Sequence, residues 1–327
     1  MTCHLCLKEK PLLKESHILS NFLYKPFRGE DNGMISVDRQ KKKSKQVYTG
    51  EFERDILCAD CDNRIFGDYE GYASQIINAG PTGVPGIKTT IFKDPSGIEL
   101  YAKIEGLDYK KFRLFLLSLL WRVSISGRPY FDKVKLSADE EERLRKMLYD
   151  GDPGEPDDYP CVISVAKNGH FIKKTMASPM KLKDGYEFII AGVIYYFPTT
   201  KPISDTMLRG AIQKDGSLHL FILPDDVVGR LQTKILQSLK ITDHIEIGTV
   251  DATSSRNHNG GMETPTPKTY ISADFVLKVM AENSREAFIG PDGTALYPRF
   301  EKVGNDWIIR LPSGKEIKVP QSEITIA

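Results

Sequence analysis

Several features that would place a chain in a common class are missing from this sequence of 327 residues. The longest apolar stretch, Phe112 to Val123, is broken by Arg113, Ser118 and Arg122 and is too short to cross a bilayer, so no membrane role is expected. There is no Gly-x-x-x-x-Gly-Lys, no Gly-x-Gly-x-x-Gly and no Gly-x-Ser-x-Gly, which removes motif support for phosphate-loop ATPases, dinucleotide enzymes and serine hydrolases. No internal repeat of solenoid length is present. Charge of one sign is also absent: 45 basic residues balance 44 acidic ones, and a net charge of +1 does not announce a nucleic-acid binder. The start carries no basic segment followed by an apolar run, which predicts a cytoplasmic protein in which cysteines meet metal more readily than each other.

Cysteine is scarce too, but its placement is informative. Of five in the chain, four form two Cys-x-x-Cys pairs, Cys3 with Cys6 and Cys58 with Cys61. Four thiolates in that pattern suit a tetrahedral structural Zn2+ site. The fifth, Cys161, opens the apolar run Cys161-Val162-Ile163-Ser164-Val165 and is expected to be a small buried hydrophobe. Between the pairs lie Ser16-His17-Ile18 and a basic tract containing Arg39, Lys41, Lys42, Lys43 and Lys45, a candidate phosphate-contacting segment.

Pattern and punctuation predict an α+β chain. The expected order is a zinc-bound module over 1–80, a strand pair and helical segment over 81–150, an α+β domain over 151–250, and a linker, helix and small β piece over 251–327. After Cys61, apolar Ile65, Tyr69, Tyr72 and Ile76 recur at helical spacing until Asn78-Ala79-Gly80-Pro81 stops the helix. Strands are expected around Thr89 to Phe92 and Glu99 to Ile104. Asp108 should cap a helix reaching about Ser126 that is apolar on nearly every side and therefore central to a core. Ser137-Ala138-Asp139-Glu140 is a capping box for a helix through Tyr149. Residues 150–160, poor in apolar side chains and rich in proline, read as a linker or long exposed loop. Beyond them strands are expected at Val162 to Val165, Phe171 to Thr175, Glu187 to Ala191, Val193 to Phe197 and Leu218 to Leu223, then a helix capped by Asp225. Residues 251–268 read as an exposed tract and Ser272 to Asn283 as a helix. Strands follow at Asp306 to Leu311 and Glu316 to Val319, with Trp307 in a core.

The segment Cys3-x-x-Cys6, Ser16-His17-Ile18, Leu57-Cys58-x-x-Cys61-Asp62 resembles the treble-clef frame (ββα) of HNH endonucleases of the four-cysteine type, over residues 1 to about 78. That resemblance implies zinc in a structural role, His17 as general base, and Asp62 as ligand to a second, catalytic ion, for which oxygen donors favour Mg2+ or Mn2+. Ser16 stands where the family carries an acidic residue, and carboxylates or Arg54 stand around Glu53 to Asp55 where it carries an asparagine. Glu70, further along the same helix, is a candidate substitute carboxylate. Ser118-Leu119-Leu120-Trp121-Arg122 is similar to a segment of uncharacterised bacterial proteins that join such a module to a helical region, which implies a setting in defence against phage. Two functions follow as expectations: a metal-dependent nuclease acting on DNA or RNA, or a catalytically inactive zinc module that binds nucleic acid or a protein partner. A third places the important surface beyond residue 160, as an interaction or sensor protein. Nucleic acid is the expected partner, and a protein partner or a homo-oligomer is a further expectation for the chain.

Overall fold

A computed structural model describes residues 1–28, 34–38, 43–201, 203–239, 244–247, 269–272, 299–303, 306–310, 316–320, 322 and 324–326. The chain divides into two compact units, residues 1–35 with 46–228, and residues 36–45 with 229–327. Among the described residues the strands begin with β1 (Ser16–His17), β2 (Met34–Asp38), β3 (Lys43–Val47), β4 (Phe52–Glu53), β5 (Lys88–Lys93) and β6 (Glu99–Glu105). They continue with β7 (Val162–Val165), β8 (Met180–Lys181), β9 (Gly185–Ile190), β10 (Val193–Pro198) and β11 (Leu218–Ile222). Six α-helices are described: α1 (Gly67–Ala79), α2 (Tyr109–Ile125), α3 (Ala138–Asp150), α4 (His170–Lys173), α5 (Asp205–Leu208) and α6 (Asp225–Leu239).

The mixed α+β class is as expected. In the first unit a seven-stranded sheet runs β5-β6-β11-β7-β10-β9-β8, antiparallel except for the parallel β11–β7 pair. Strand alternation puts Ile104, Leu218, Ile163, Tyr195, Phe197, Tyr186 and Phe188 into the core. Helix α2 lies in the middle of that core: Leu114, Phe115, Leu117, Leu119 and Val123 are fully buried, in keeping with a helix apolar on all sides. Its start is fixed by Asp108, whose side chain accepts from the Lys111 backbone N–H at 2.9 Å. Helix α3 opens with the expected capping box of Ser137 and Glu140 and ends on Gly151 in the left-handed conformation (φ 67°), which glycine adopts without steric cost. Side chains from the 1–80, 81–150 and 151–250 segments contribute to this one core, so the unit is not divided at those boundaries.

Two expectations change. The polar stretch 150–160 is not a free linker, because the buried Arg113 of α2 clamps it. Arg113 Nε donates to Pro153 O at 2.6 Å, and Nη2 donates to Glu155 O at 2.6 Å and to Asp158 O. Tyr109 adds a bond to Gly154 O at 2.7 Å. A guanidinium offers five donors, and the clustered carbonyls of a proline-rich turn are the acceptors a desolvated cation needs. Where a strand was expected at Phe171 to Thr175, one helical turn, His170–Lys173, follows Gly169 and buries Ile172 instead. Cys161 and Trp307 are buried, as expected.

The second unit contains a three-stranded sheet of His244–Ile247, Thr269–Ser272 and Ile324–Ile326, and another of Arg299–Val303, Asp306–Arg310 and Glu316–Lys318. The expected tract over 251–268 lies outside the described residues, as does the expected helix except for Ser272, which ends a strand. No described helix is long and apolar enough to cross a membrane.

Candidate metal centre and the polar cluster beside it

The two cysteine pairs, far apart in sequence, are brought together by short backbone ties. His4 N–H donates to Ile56 O at 2.9 Å, Leu13 N–H to Leu57 O at 2.8 Å, and Leu12 bridges Cys58. Cys3 to Cys6 turns back tightly, with Leu7 N–H on Cys3 O at 2.9 Å. Cys58 and Cys61 sit at the mouth of a wide helical segment, Asp60–Phe66, which winds as a π-helix and runs directly into α1. Arg145 of α3 braces the first turn by donating to Leu5 O at 2.6 Å.

Cys3, Cys6, Cys58 and Cys61 place their sulfurs within 4.8 Å of one another, Cys6 Sγ and Cys58 Sγ being 4.0 Å apart. A tetrahedral zinc with Zn–S near 2.3 Å has sulfurs roughly 3.8 Å apart, so the cluster needs only a small contraction to close on an ion such as zinc. Three of the four cysteines are buried, and Cys58 N–H points at Cys3 Sγ at 3.4 Å, the kind of donor that stabilises a thiolate ligand. Burial raises Cys3, but backbone N–H groups of Cys6, Cys58 and Leu5 outweigh it and bring the thiol down to about 7. Burial pushes Cys58 and Cys61 up. Four sulfurs this close could hold one metal ion such as zinc.

Next to the cysteines lies a second group of polar side chains. His17 stands on β1, which pairs with β4 in the register His17 to Phe52 and Ser16 to Glu53. Its Nε2 lies 3.3 Å from Thr49 Oγ1. Burial lowers its pKa, Glu70 raises it and Arg122 lowers it, for a net downward shift that favours neutral imidazole. Asp62, directly after Cys61, is half-buried. Burial raises its carboxyl to about 6, against the pull of Arg122 and with the help of Glu70.

Arg122 organises the group. Only 1% exposed, it pairs with Glu70 Oε1 at 2.7 Å, donates to the backbone carbonyl of His17 at 3.0 Å and to Ser20 Oγ at 3.1 Å, and lies 4.9 Å from the Phe66 ring centroid. An arginine in the middle of an apolar helix must find partners, because a bare buried charge is far too costly. Those partners are the strand of His17 and the helix of Asp62 and Glu70.

Arg122 thus ties Glu70 to the backbone of the His17 strand, and the charges of that pair act on both the His17 imidazole and the Asp62 carboxyl. Thr49 was not anticipated. Glu53 Oε2 accepts from Ser126 Oγ at 3.1 Å and Gly127 N–H at 3.0 Å. Ser16 is fully buried, and its Oγ has no hydrogen-bond partner among the described residues. In the basic tract, Arg39, Lys41 and Lys42 lie outside the described residues; Lys43 and Lys45 fall on β3, with their side chains outside the description. Compared with protein-family models, with curated proteins and with solved structures, the chain matches none.

Proposed function

We propose that this chain is a zinc-stapled, metal-dependent phosphodiesterase of the HNH type, a nuclease acting on DNA or RNA, in which the β1–β4 pair and the Asp60–Ala79 helical segment form a treble clef. The observation that carries the proposal is the tie that Arg122 makes between Glu70 and the backbone of His17, with the charges of that pair acting on His17 and Asp62, next to four thiols that could hold an ion. A neutral imidazole accepts a proton from water as that water attacks phosphorus, and a downward-shifted histidine is in this form at neutral pH. Thr49 restrains the ring by contact with Nε2. Asp62 and Glu70 would hold Mg2+ or Mn2+, whose chemistry when bound is to stabilise charge on the leaving oxygen. Glu70 supplies the carboxylate that Ser16 lacks. Lys43, Lys45 and the rest of the basic tract would meet the backbone phosphates. Defence against phage, as the setting, rests on the resemblance alone.

A second reading has its own observation. The 2.7 Å Glu70–Arg122 ion pair already satisfies one proposed ligand, as a module that binds nucleic acid or a protein without turnover would require. One experiment separates the two: plasmid, linear duplex, single-stranded DNA and RNA are each incubated with the zinc-loaded protein and Mg2+ or Mn2+. Cleavage that disappears in His17→Ala and Asp62→Asn, with folding and zinc content retained, is the expected result. Salt-sensitive binding without cleavage, unchanged in His17→Ala, would establish the second reading instead.

A further inference from the structure

The outer edge of the seven-stranded sheet is unusual. Strand β5 hydrogen-bonds to β6 on one side, and no described strand lies on the other. Edge strands are normally blunted by central charges, proline or a bulge. β5 carries lysines only at its ends, Lys88 and Lys93: its middle, Thr89-Thr90-Ile91-Phe92, has no charge and no proline, and the register break opposite Phe92 and Lys93 skips Leu100, which puts the extra residue on β6. The same hairpin exposes Ile91 (48%), Phe92 (39%), Ile98 (58%) and Leu100 (47%), half of the large exposed apolar side chains among the described residues. Apolar groups are thus gathered where the backbone can still pair.

A ladder of rings ends at this edge. His219 of β11 stacks on Tyr101 of β6 with centroids 4.5 Å apart, and Tyr101 stacks on Phe92 of β5 at 4.8 Å, with interplanar angles of 13° and 12°. Phe92 closes the row and is 39% exposed.

The strand also complements itself. In an antiparallel pair of two β5 strands centred on Ile91, Ile91 meets Ile91, Thr90 meets Phe92, and Lys88 of each copy faces Asp94 of the other. Asp94 spends Oδ1 on its own turn, accepting from Ser96 N–H and Ile98 N–H at 2.9 Å, which leaves Oδ2 for that contact. Moving the two-fold axis to Thr90 sets Lys88 against Phe92, and moving it to Phe92 sets Lys88 against Ser96, so neither neighbouring register keeps the pairing of Lys88 with Asp94. We infer that two copies of this chain pair antiparallel through β5, on a two-fold axis at Ile91, to form one continuous sheet. The contact is isologous, as a two-fold dimer requires, and it is small, one short strand from each copy.

Sedimentation equilibrium from about 1 to 200 µM should show the mass rising from 36.8 kDa towards twice that value. Ile91→Lys should remain monomeric throughout, with its thermal midpoint unchanged because the position is solvent-exposed. Ile91→Cys should give a covalent dimer under mild oxidation, whereas Phe92→Cys, whose opposite residue is Thr90, should not. A protein that is monomeric at every concentration overturns the inference. So does a dimer that survives Ile91→Lys, or cross-linking through Phe92→Cys and not through Ile91→Cys.

Discussion

Replacing Arg122 by methionine tests the central claim about the candidate site, that a cation from α2 holds the histidine strand and the carboxylate helix together. Methionine keeps an apolar stem in the core, so the change removes the charge and its donors with little loss of packing. What is lost is the ion pair to Glu70 at 2.7 Å, the bonds to His17 O and Ser20 Oγ at 3.0 and 3.1 Å, and the stacking over Phe66. Removing one partner of a buried pair costs about 3–5 kcal/mol. Glu70 is a quarter exposed, so water recovers part of its solvation and the lower end applies, about 3 kcal/mol. The matching control is Lys111→Met, which breaks an exposed pair with Asp68 of nearly the same length, 2.8 Å, and should cost about 0–1 kcal/mol. Urea unfolding of the zinc-loaded proteins, followed by tryptophan fluorescence, gives both values. In Arg122→Met/Glu70→Gln the deserted carboxylate is gone, so the double variant should be less destabilised than the two single changes summed. An Arg122→Met cost no larger than that of Lys111→Met, or strict additivity with Glu70→Gln, would refute the assignment.

Metal analysis should find one zinc per chain, and Cys58→Ser or chelation should lower the melting temperature by many degrees, because the sulfur cage closes a loop of about fifty residues; an unchanged melt after complete metal removal would contradict this. Arg113→Met should free the carbonyls of Pro153, Glu155 and Asp158, and limited proteolysis should then cut within residues 152–158, a segment the native protein protects. If the chain cleaves phosphodiesters, its rate should rise with pH through the His17 titration and level off above it. Burial depresses that pKa, so the acidic limb should fall below the ordinary histidine value of about 6.5, and a limb clearly above it would exclude His17 as the base.

Much of the local structure was legible because it is written in local chemistry. Asp108, the Ser137–Glu140 box and Gly80 mark helix ends whatever the tertiary context, and the apolar surround of Phe112 to Val123 could only be a central helix. Sheet order was not legible. Strand β11 inserts between β6 and β7, pairing antiparallel with one and parallel with the other, and such long-range choices leave no periodic trace. The clamp on 150–160 was hidden for a similar reason: composition describes the loop's own side chains, whereas its order comes from a guanidinium on α2 that bonds its carbonyls. Thr49 reaches His17 only through the β1–β4 register, which no nearby residue advertises.

One signal in the sequence carried more than its motif. Arg113 and Arg122 interrupt the most apolar helix of the chain, and both prove to be almost wholly buried. A cation at such a position cannot be solvated, so the rest of the fold must bring it acceptors. For Arg113 the acceptors are carbonyls of one loop; for Arg122 they are a carboxylate, a hydroxyl and the carbonyl of the candidate base. The cysteine pairs fix the ends of the amino-terminal segment, but they say nothing about which helix must lie behind it. Arg122 does, since its charge is satisfied only when α2, β1 and α1 are docked together. On that argument the amino-terminal cysteine segment does not fold independently, and the placing of His17 and Glu70 depends on the core of the whole first unit.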